Sequence, residues 1–382
     1  PRYHRPRVSV TGIRTLAVAG AWGYIGRKFV DAGLDLGLDV SVLDPGPVPG
    51  DSPFDRLTRF TDDSFYEQSA DLFHLALHPE HRAPALRRLL QRAHSEPLAI
   101  LNEKPMAAPE RPQDCATLIE DLAGTQALLL FDFPELFDPL TTRVIDALRN
   151  YERVEIDEIV IQRSKDREDE ENPRNRKRMV HIQYQESVHC MAWIIFLLAQ
   201  LRGGAESVLA DGLRLSAQSR PYAPPNPEDY GHVVDGRVDY EIQLGTTAIR
   251  GCTNFTRGAP WAKTRVLRGH ADGEAFEFDM DYLEGAKRLT IDGLDQDVDP
   301  SGSSYEAVLQ TFDRWLQATP ASTLMSSTCY PNLAFARLTY GLSSLLWRSC
   351  HDGAPVAVRN ADDLLNFDAG FAAAAATFPR YA

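Results

Sequence analysis

Three glycines, Gly20, Gly23 and Gly26, fall in the stretch Gly20-Ala-Trp-Gly23-Tyr-Ile-Gly26 between an apolar run and a helical period. Glycines in that setting permit a tight turn, a close backbone approach to a pyrophosphate, and a helix packed hard on a strand. The helix N-terminus then faces the negative charge. The run at residues 16–19 reads as the strand before the turn, and residues 27–36 as the helix after it. Residues 40–43 form the next strand and end in Asp44. Strand and helix then alternate: 72–77 with 83–93, 97–102 with 112–122, and a further strand at 127–131. Such alternation predicts an α/β fold with a doubly wound parallel sheet, a Rossmann domain over residues 14–150. The spacing is Gly-x-x-Gly-x-x-Gly rather than the usual Gly-x-Gly-x-x-Gly, so the flanking strand and helix carry the inference.

Beyond residue 150 the texture changes. Residues 154–162, 208–216, 238–244, 247–255, 264–269, 274–279 and 287–291 are β-leaning runs broken by Gly, Pro and Asp. They predict a second domain, residues 151–382, with an open and mostly antiparallel sheet. One helix at 185–201 interrupts it and is apolar on nearly every side, hence buried. Helices are expected again at 304–318, at 332–351 and along the alanine-rich tail, 362–378.

At 382 residues, with 43% hydrophobic and 25% charged, the chain has the make-up of an ordinary globular protein of two or three domains. A net charge of −14 argues against nucleic acid or an anionic membrane surface as a partner. Its five cysteines are scattered and never form Cys-x-x-Cys, which fits buried free thiols in a reducing compartment. No apolar run reaches the roughly 20 residues of a membrane helix. The opening Pro1-Arg-Tyr-His-Arg-Pro-Arg7 is basic and lacks the apolar stretch of a secretory signal. The expected location is the cytoplasm.

Glu103-Lys104-Pro105 follows directly on the buried strand at 97–102, so Lys104 leaves a strand's carboxyl end. In open parallel sheets ligands sit in the crevice at those ends. Asp44, about twenty residues beyond the glycines, stands where an acid bonds the adenosine ribose. A carboxylate there repels a 2′-phosphate, which favours NAD over NADP. Asp44-Pro-Gly46 is equally a turn-former. His78, Glu80 and His81 superficially suggest a metal, but Pro79 breaks the helical frame such ligands need, and no metal is expected.

The glycine turn, the run Ile100-Leu-Asn-Glu-Lys-Pro-Met106 and the segment Leu342 to Val356 together resemble the glucose-fructose oxidoreductase/inositol dehydrogenase/MocA oxidoreductases. The resemblance spans nearly the whole chain. It implies a Rossmann domain joined to an α/β domain with an open antiparallel sheet, and NAD(P)-dependent hydride transfer at a secondary alcohol of a sugar or cyclitol. Expected cofactor contacts are Gly20, Trp22, Gly23, Tyr24, Ile25, Asp44, His78, Pro79 and Glu103, with His78 bordering the nicotinamide ribose. Lys104 would lie at the substrate, and Glu103 with Pro105 would shape its turn.

The family's Asp-x-x-x-His corresponds here to Gln185-Glu-Ser-Val-His189. His189 matches the histidine; Gln185 replaces the acid, and Glu186 is one residue out of register. A histidine supplies a base near neutrality, and a nearby lysine would hold the substrate oxygen. Catalysis is therefore expected from Lys104, His189 and Gln185, which would converge on the nicotinamide, with Glu186 a further substrate contact. The mixed-charge stretch 163–178 precedes that helix, and Arg163, Lys165, Arg174 and Lys177 are candidate binders of a substrate phosphate or carboxylate. Rival readings are a reductase of imines or other C=N or C=C bonds, and a regulator that binds dinucleotide without turnover. An open sheet face further implies a homodimer or homotetramer.

Overall fold

The computed structural model describes residues 12–48, 50, 57–167, 181–222, 234–300 and 302–371. The chain divides into two compact units: residues 1–104, 115–137 and 303–333 form the first, and residues 105–114, 138–302 and 334–382 the second.

The first unit holds a six-stranded sheet. Its strands are β1 (Thr15–Ala19), β2 (Asp39–Leu43), β3 (Leu57–Phe60), β4 (Leu72–Leu75), β5 (Leu98–Glu103) and β6 (Ala127–Asp132). They lie in the order β3-β2-β1-β4-β5-β6, all parallel, with the chain reversing direction across the sheet between β1 and β4. That order is the doubly wound, dinucleotide-binding arrangement. The strands are largely apolar and buried (Leu16–Ala19 of β1 and Ala127–Phe131 of β6 among them), as expected of a parallel sheet covered by helices. Those helices include α1 (Tyr24–Asp35), α2 (Pro79–Arg92) and α3 (Asp114–Leu122), with the short α4 (Pro134–Phe137) after β6. β3 was not foreseen from sequence: half its residues face solvent, so it lacks the apolar run that marked the others.

Two late helices complete this unit, α9 (Ser304–Ala318) and α10 (Ala321–Ser326). Ser303 caps α9, its hydroxyl accepting from the N–H groups of Tyr305 and Glu306. α9 lies on α1 and α4, where the Phe137 and Trp315 rings sit 5.1 Å apart. Its Asp313 Oδ1 accepts from the backbone of Gly12 (3.0 Å) and Ile13 (2.8 Å), satisfying two donors ahead of β1.

The second unit is built on a nine-stranded sheet. Its members are β7 (Val154–Ser164), β8 (Leu213–Tyr222), β9 (Val234–Leu244), β10 (Thr247–Asn254), β11 (Ala262–Ala271), β12 (Glu274–Asp281), β13 (Arg288–Ile291), β14 (Leu294–Asp295) and β15 (Val356–Val358). The order is β14-β13-β12-β11-β7-β10-β9-β8-β15, antiparallel throughout except for the parallel pair β7–β10. An antiparallel sheet can bury one face and wet the other. On the wet face Arg250, Glu158, Arg268 and Glu277 form an ion chain across β10, β7, β11 and β12. The unit's helices are α5 (Pro139–Arg149), α6 (Ile182–Gln185), α7 (Ser187–Arg202), α8 (Ala205–Val208), α11 (Leu333–Asp352) and α12 (Ala361–Leu365); α7 packs on β7, α6 on β9 and α12 on β15, while α5 and α8 pack on α7.

Three expectations are corrected here. The helix expected at 185–201 is α7 and starts two residues later: Glu186 leaves helical geometry (φ −125°, ψ −43°), placing Gln185 at the end of α6. Val208 closes α8 instead of opening a strand; β8 starts at Leu213, after left-handed Gly212. In the tail, α12 stops at Leu365; residues 366–370 are not helical, and 372–382 lie outside the described residues.

Lys287 and Asp138 are paired at 2.7 Å with side chains 4% and 1% exposed, and Asp138 also caps α5 through the Leu140 N–H. Lys287→Met keeps the volume and strands a buried carboxylate. Urea unfolding is expected to show a loss of about 3 kcal/mol, since breaking one side of a buried pair leaves the other uncompensated. Adding Asp138→Asn to the same chain should recover part of it.

Candidate active site

The first unit offers a cradle for a dinucleotide. β1 ends at Gly20, whose φ is +78° and whose N–H donates to Leu43 O at 2.8 Å. A Cβ on Gly20 would sit 2.5 Å from Ala76 O, and one on Gly26 would sit 2.1 Å from Gly20 O. The close approaches that only glycine allows are therefore used at both positions. Gly23 heads α1, whose first turn has no acidic residue and no side-chain cap. A helix N-terminus following a glycine turn favours an anion through its backbone N–H groups and dipole. Trp22, Tyr24 and Ile25 lie in or directly after this turn.

Asp44 is half-buried and braces the turn. Its Oδ2 accepts from Trp22 N (2.9 Å) and its Oδ1 from Gly46 N (2.8 Å). Each oxygen keeps a lone pair for a ribose hydroxyl, so the turn-forming and ribose-binding roles coexist. The unforeseen β3 places the Arg59 guanidinium 6.0 Å from the centre of the Trp22 ring. His78 precedes α2, its C=O accepting from the N–H groups of His81 and Arg82, and Pro79 occupies the helix's first turn.

Lys104 is half-buried at the end of β5, and its C=O accepts from Arg82 Nη1 at 3.2 Å. Beside it lies a polar cluster that sequence reasoning missed. His74 on β4, Glu103 on β5 and Asp132 on β6 are all buried, with one ligand-type atom of each lying within 4.8 Å of the others. Strand register makes this inevitable: Glu103 pairs with Asp132, and His74 pairs with Leu101, two residues back on the same face. His74 Nε2 stands 3.4 Å from Glu103 Oε1. The only signal in the sequence was a polar residue inside Leu72-Phe-His-Leu75 and another closing Leu128-Leu-Leu-Phe-Asp132.

The two acids are driven apart in acidity. Burial opposes ionisation of Glu103, but the His74 imidazole, the charge of Lys104 and a hydrogen bond with Asp132 hold its carboxyl below the ordinary value. Burial, and then the charge and hydrogen bond of Glu103, push Asp132 well above its ordinary value. Arg82 is lowered to about 10 by burial, with Glu103 opposing the shift. A small divalent ion could span the three ligand-type atoms. Lys104 and Arg82 already place positive charge beside the carboxyl groups, which opposes a further cation there.

In the second unit, α7 carries His189 in its first turn. The residue is 7% exposed, and its N–H donates to Glu186 O at 3.2 Å. All residues from Ser187 to Ala199 are buried, as an all-apolar helix requires. Gln185 ends α6, partly exposed. Glu186 is held by Arg163: both Nε and Nη2 lie 3.0 Å from Oε2, and each side chain is 11% exposed. The break between α6 and α7 thus coincides with a nearly buried ion pair that consumes one charge of each sign. Lys165 places its Nζ 5.8 Å from the centre of the Phe255 ring. Arg174 and Lys177 lie outside the described residues, as does the Glu80 side chain.

No family model and no curated sequence matches the chain. Solved structures do. A super-repressor mutant of Gal80p from Saccharomyces cerevisiae aligns over 93% of this chain and 99% of its own, with a TM-score of 0.69 at 13% identity. A myo-inositol dehydrogenase from Corynebacterium glutamicum aligns over 91% and 99%, with a TM-score of 0.63 at 14% identity. An oxidoreductase from Agrobacterium radiobacter, solved with NAD+, L-tartaric acid and magnesium, aligns over 92% and 99%, with a TM-score of 0.64 at 13% identity. The two-sheet α/β fold is that of the glucose-fructose oxidoreductase/inositol dehydrogenase/MocA proteins, as the sequence resemblance implied.

Proposed function

We propose that the chain is a nicotinamide-dinucleotide-dependent oxidoreductase acting on a secondary alcohol, or the matching ketone, of a sugar, sugar phosphate or cyclitol. The observation that carries this reading is the cradle at Gly20 and Gly26 beneath an uncapped helix N-terminus, in a sheet whose β5 delivers Lys104 at its carboxyl end. When bound, the nicotinamide supplies the hydride acceptor or donor. Backbone N–H groups of the glycine turn and α1 hold the pyrophosphate; Asp44 receives the adenosine ribose; His78 and Glu103 border the other ribose. His189 takes the hydroxyl proton during oxidation and returns it during reduction. Lys104 donates to the substrate oxygen as its charge grows, and Gln185 orients the ring.

NAD is the proposed cofactor, on the strength of the Asp44 carboxylate. Arg59 beside Trp22 is the one observation that favours NADP, since a guanidinium suits a 2′-phosphate. Fluorescence titration with NADH and NADPH separates the two: NADH is expected to bind at least tenfold more tightly. Turnover is tested by following NADH formation with a panel of sugars and cyclitols, and its consumption with ketosugars and cyclic imines. Oxidation of at least one polyol is expected. Consumption with imines alone would replace this reading with C=N reduction, for which uncharged Gln185 is suited. Tight NADH binding with no turnover of any kind would favour a dinucleotide-binding regulator, the reading that the likeness to Gal80p supports.

Arg163 is proposed as a structural partner of Glu186, its charge already neutralised. Arg163→Gln should therefore impair neutral and anionic substrates alike, and steady-state kinetics with a sugar and its phosphate measures this directly.

A further inference from the structure

We propose that His74, Glu103 and Asp132 form a buried proton-sharing cluster that presents one fixed negative charge to Lys104, making Glu103 and Asp132 positioning residues for that lysine. The inference deepens the assignment of Lys104 above and rests on that reading for its catalytic meaning. Its geometry stands independently. Parallel register sets Glu103 and Asp132 side by side at the ends of β5 and β6, and β4 brings His74 Nε2 to 3.4 Å from Glu103. All three side chains are buried, and Glu103 Oε1, Asp132 Oδ1 and both His74 ring nitrogens lack a well-formed hydrogen bond. Apolar packing closes the site behind: the His74 ring lies 3.8 Å from Phe29, which in turn meets Tyr305 of α9 at 5.3 Å.

Two adjacent carboxylates shielded from water repel each other strongly, because little solvent screens the pair. One proton shared as an O–H from Asp132 to Glu103 removes that repulsion and leaves a single charge. The charged and titratable groups facing the pair are His74 from β4, Arg82 from α2 and Lys104 from β5. They favour Glu103 as the ionised member, because all three act on it. Lys104 follows Glu103 directly in the chain, and its charge interacts with the Glu103 and Asp132 carboxyl groups. An ammonium beside a buried carboxylate is held in its charged, hydrogen-bond-donating form.

The test uses the full chain without cofactor. Its six lysines are reductively methylated with 13C-formaldehyde, the Lys104 resonance is assigned with Lys104→Arg, and its titration is followed by NMR. Glu103→Gln is expected to lower the Lys104 midpoint by about one unit or more. Asp132→Asn, which cannot ionise but can still donate, should leave the midpoint within about 0.3 unit of the wild type. Equal shifts from both variants would mean two charges, and no shift from Glu103→Gln would mean that the cluster does not act on Lys104; either overturns the proposal.

Urea unfolding against pH is the second measurement. Folded Asp132 keeps its proton above the ordinary 3.8, whereas the unfolded residue loses it. Unfolding then releases a proton from this group, so the Asp132 contribution to stability falls as pH rises from about 4. Asp132→Asn lacks that slope, and its urea midpoint should exceed the wild type's increasingly toward pH 8. A constant or opposite difference would sink the shared-proton assignment. Zinc raising the melting temperature of the wild type, but not of His74→Ala, would reassign the cluster as a metal site. All these readouts are independent of turnover, so an inactive or regulatory protein would leave them standing.

Discussion

Replacing Lys104 by methionine is expected to lower kcat/KM about 1,000-fold for whichever polyol the wild type oxidises, with NADH affinity changed less than threefold. Methionine keeps the length and loses the donor. A hydrogen bond to an oxygen that gains charge is stronger in the transition state than in the ground state, so its loss falls on kcat more than on KM. His189→Asn should cost about 100- to 10,000-fold, the range typical of a missing general base, and should abolish the acid limb of the kcat/KM–pH profile in the oxidative direction. If the two groups act as a unit, the double variant is scarcely worse than either single one. An additive loss would mean that they serve separate steps. Full activity in Lys104→Met would end the enzymatic assignment of that residue.

Gly26→Val should prevent the first unit from folding, with a loss of about 4 kcal/mol or more. A Cβ at position 26 would meet Gly20 O at 2.1 Å, Ala21 Cα at 2.8 Å and Gly20 C at 2.8 Å, all of them backbone. Main chain cannot rotate aside as a flexible side chain does. Removing a glycine from a helix normally gains up to about 1 kcal/mol, and that gain is too small to offset the overlap. Gly203→Ala is the control: it is also a glycine at a helix end, with φ +79°, but nothing lies within 4 Å of a new Cβ. Its cost should stay near the 1–2 kcal/mol of a left-handed alanine. Chemical denaturation followed by tryptophan fluorescence compares them, and NADH titration of whatever Gly26→Val folds should show no binding.

Most of the parallel sheet was legible because its buried strands are mainly apolar and because the glycine turn sits between a strand and a helix; half-exposed β3 lacked that signal. α9 was legible to the residue, since Ser303 and the period after it encode both ends. Glu186 was not. Nothing in Gln185-Glu-Ser-Val-His189 says that the helix breaks there, because the partner, Arg163, lies 23 residues away in sequence. The buried cluster escaped for a related reason. His74 and Asp132 each read as a single flaw in an apolar strand, and only the register of three parallel strands turns two flaws and Glu103 into one site. The glycine turn was therefore readable locally, while the electrostatic setting of Lys104 needed the third dimension.

The reach from Gly12 and Ile13 to Asp313 spans some 300 positions of sequence. A ribosome delivers the amino end first, so the first unit waits for α9 while β7 to β14 of the second sheet are synthesised. A nascent chain halted at residue 302 would lack α9, leaving Phe29 and Phe137 without the covering rings of Tyr305 and Trp315. Folding of the first unit is thus committed only once α9 has emerged, so truncation ahead of Ser304 should damage the very unit whose strands are made first.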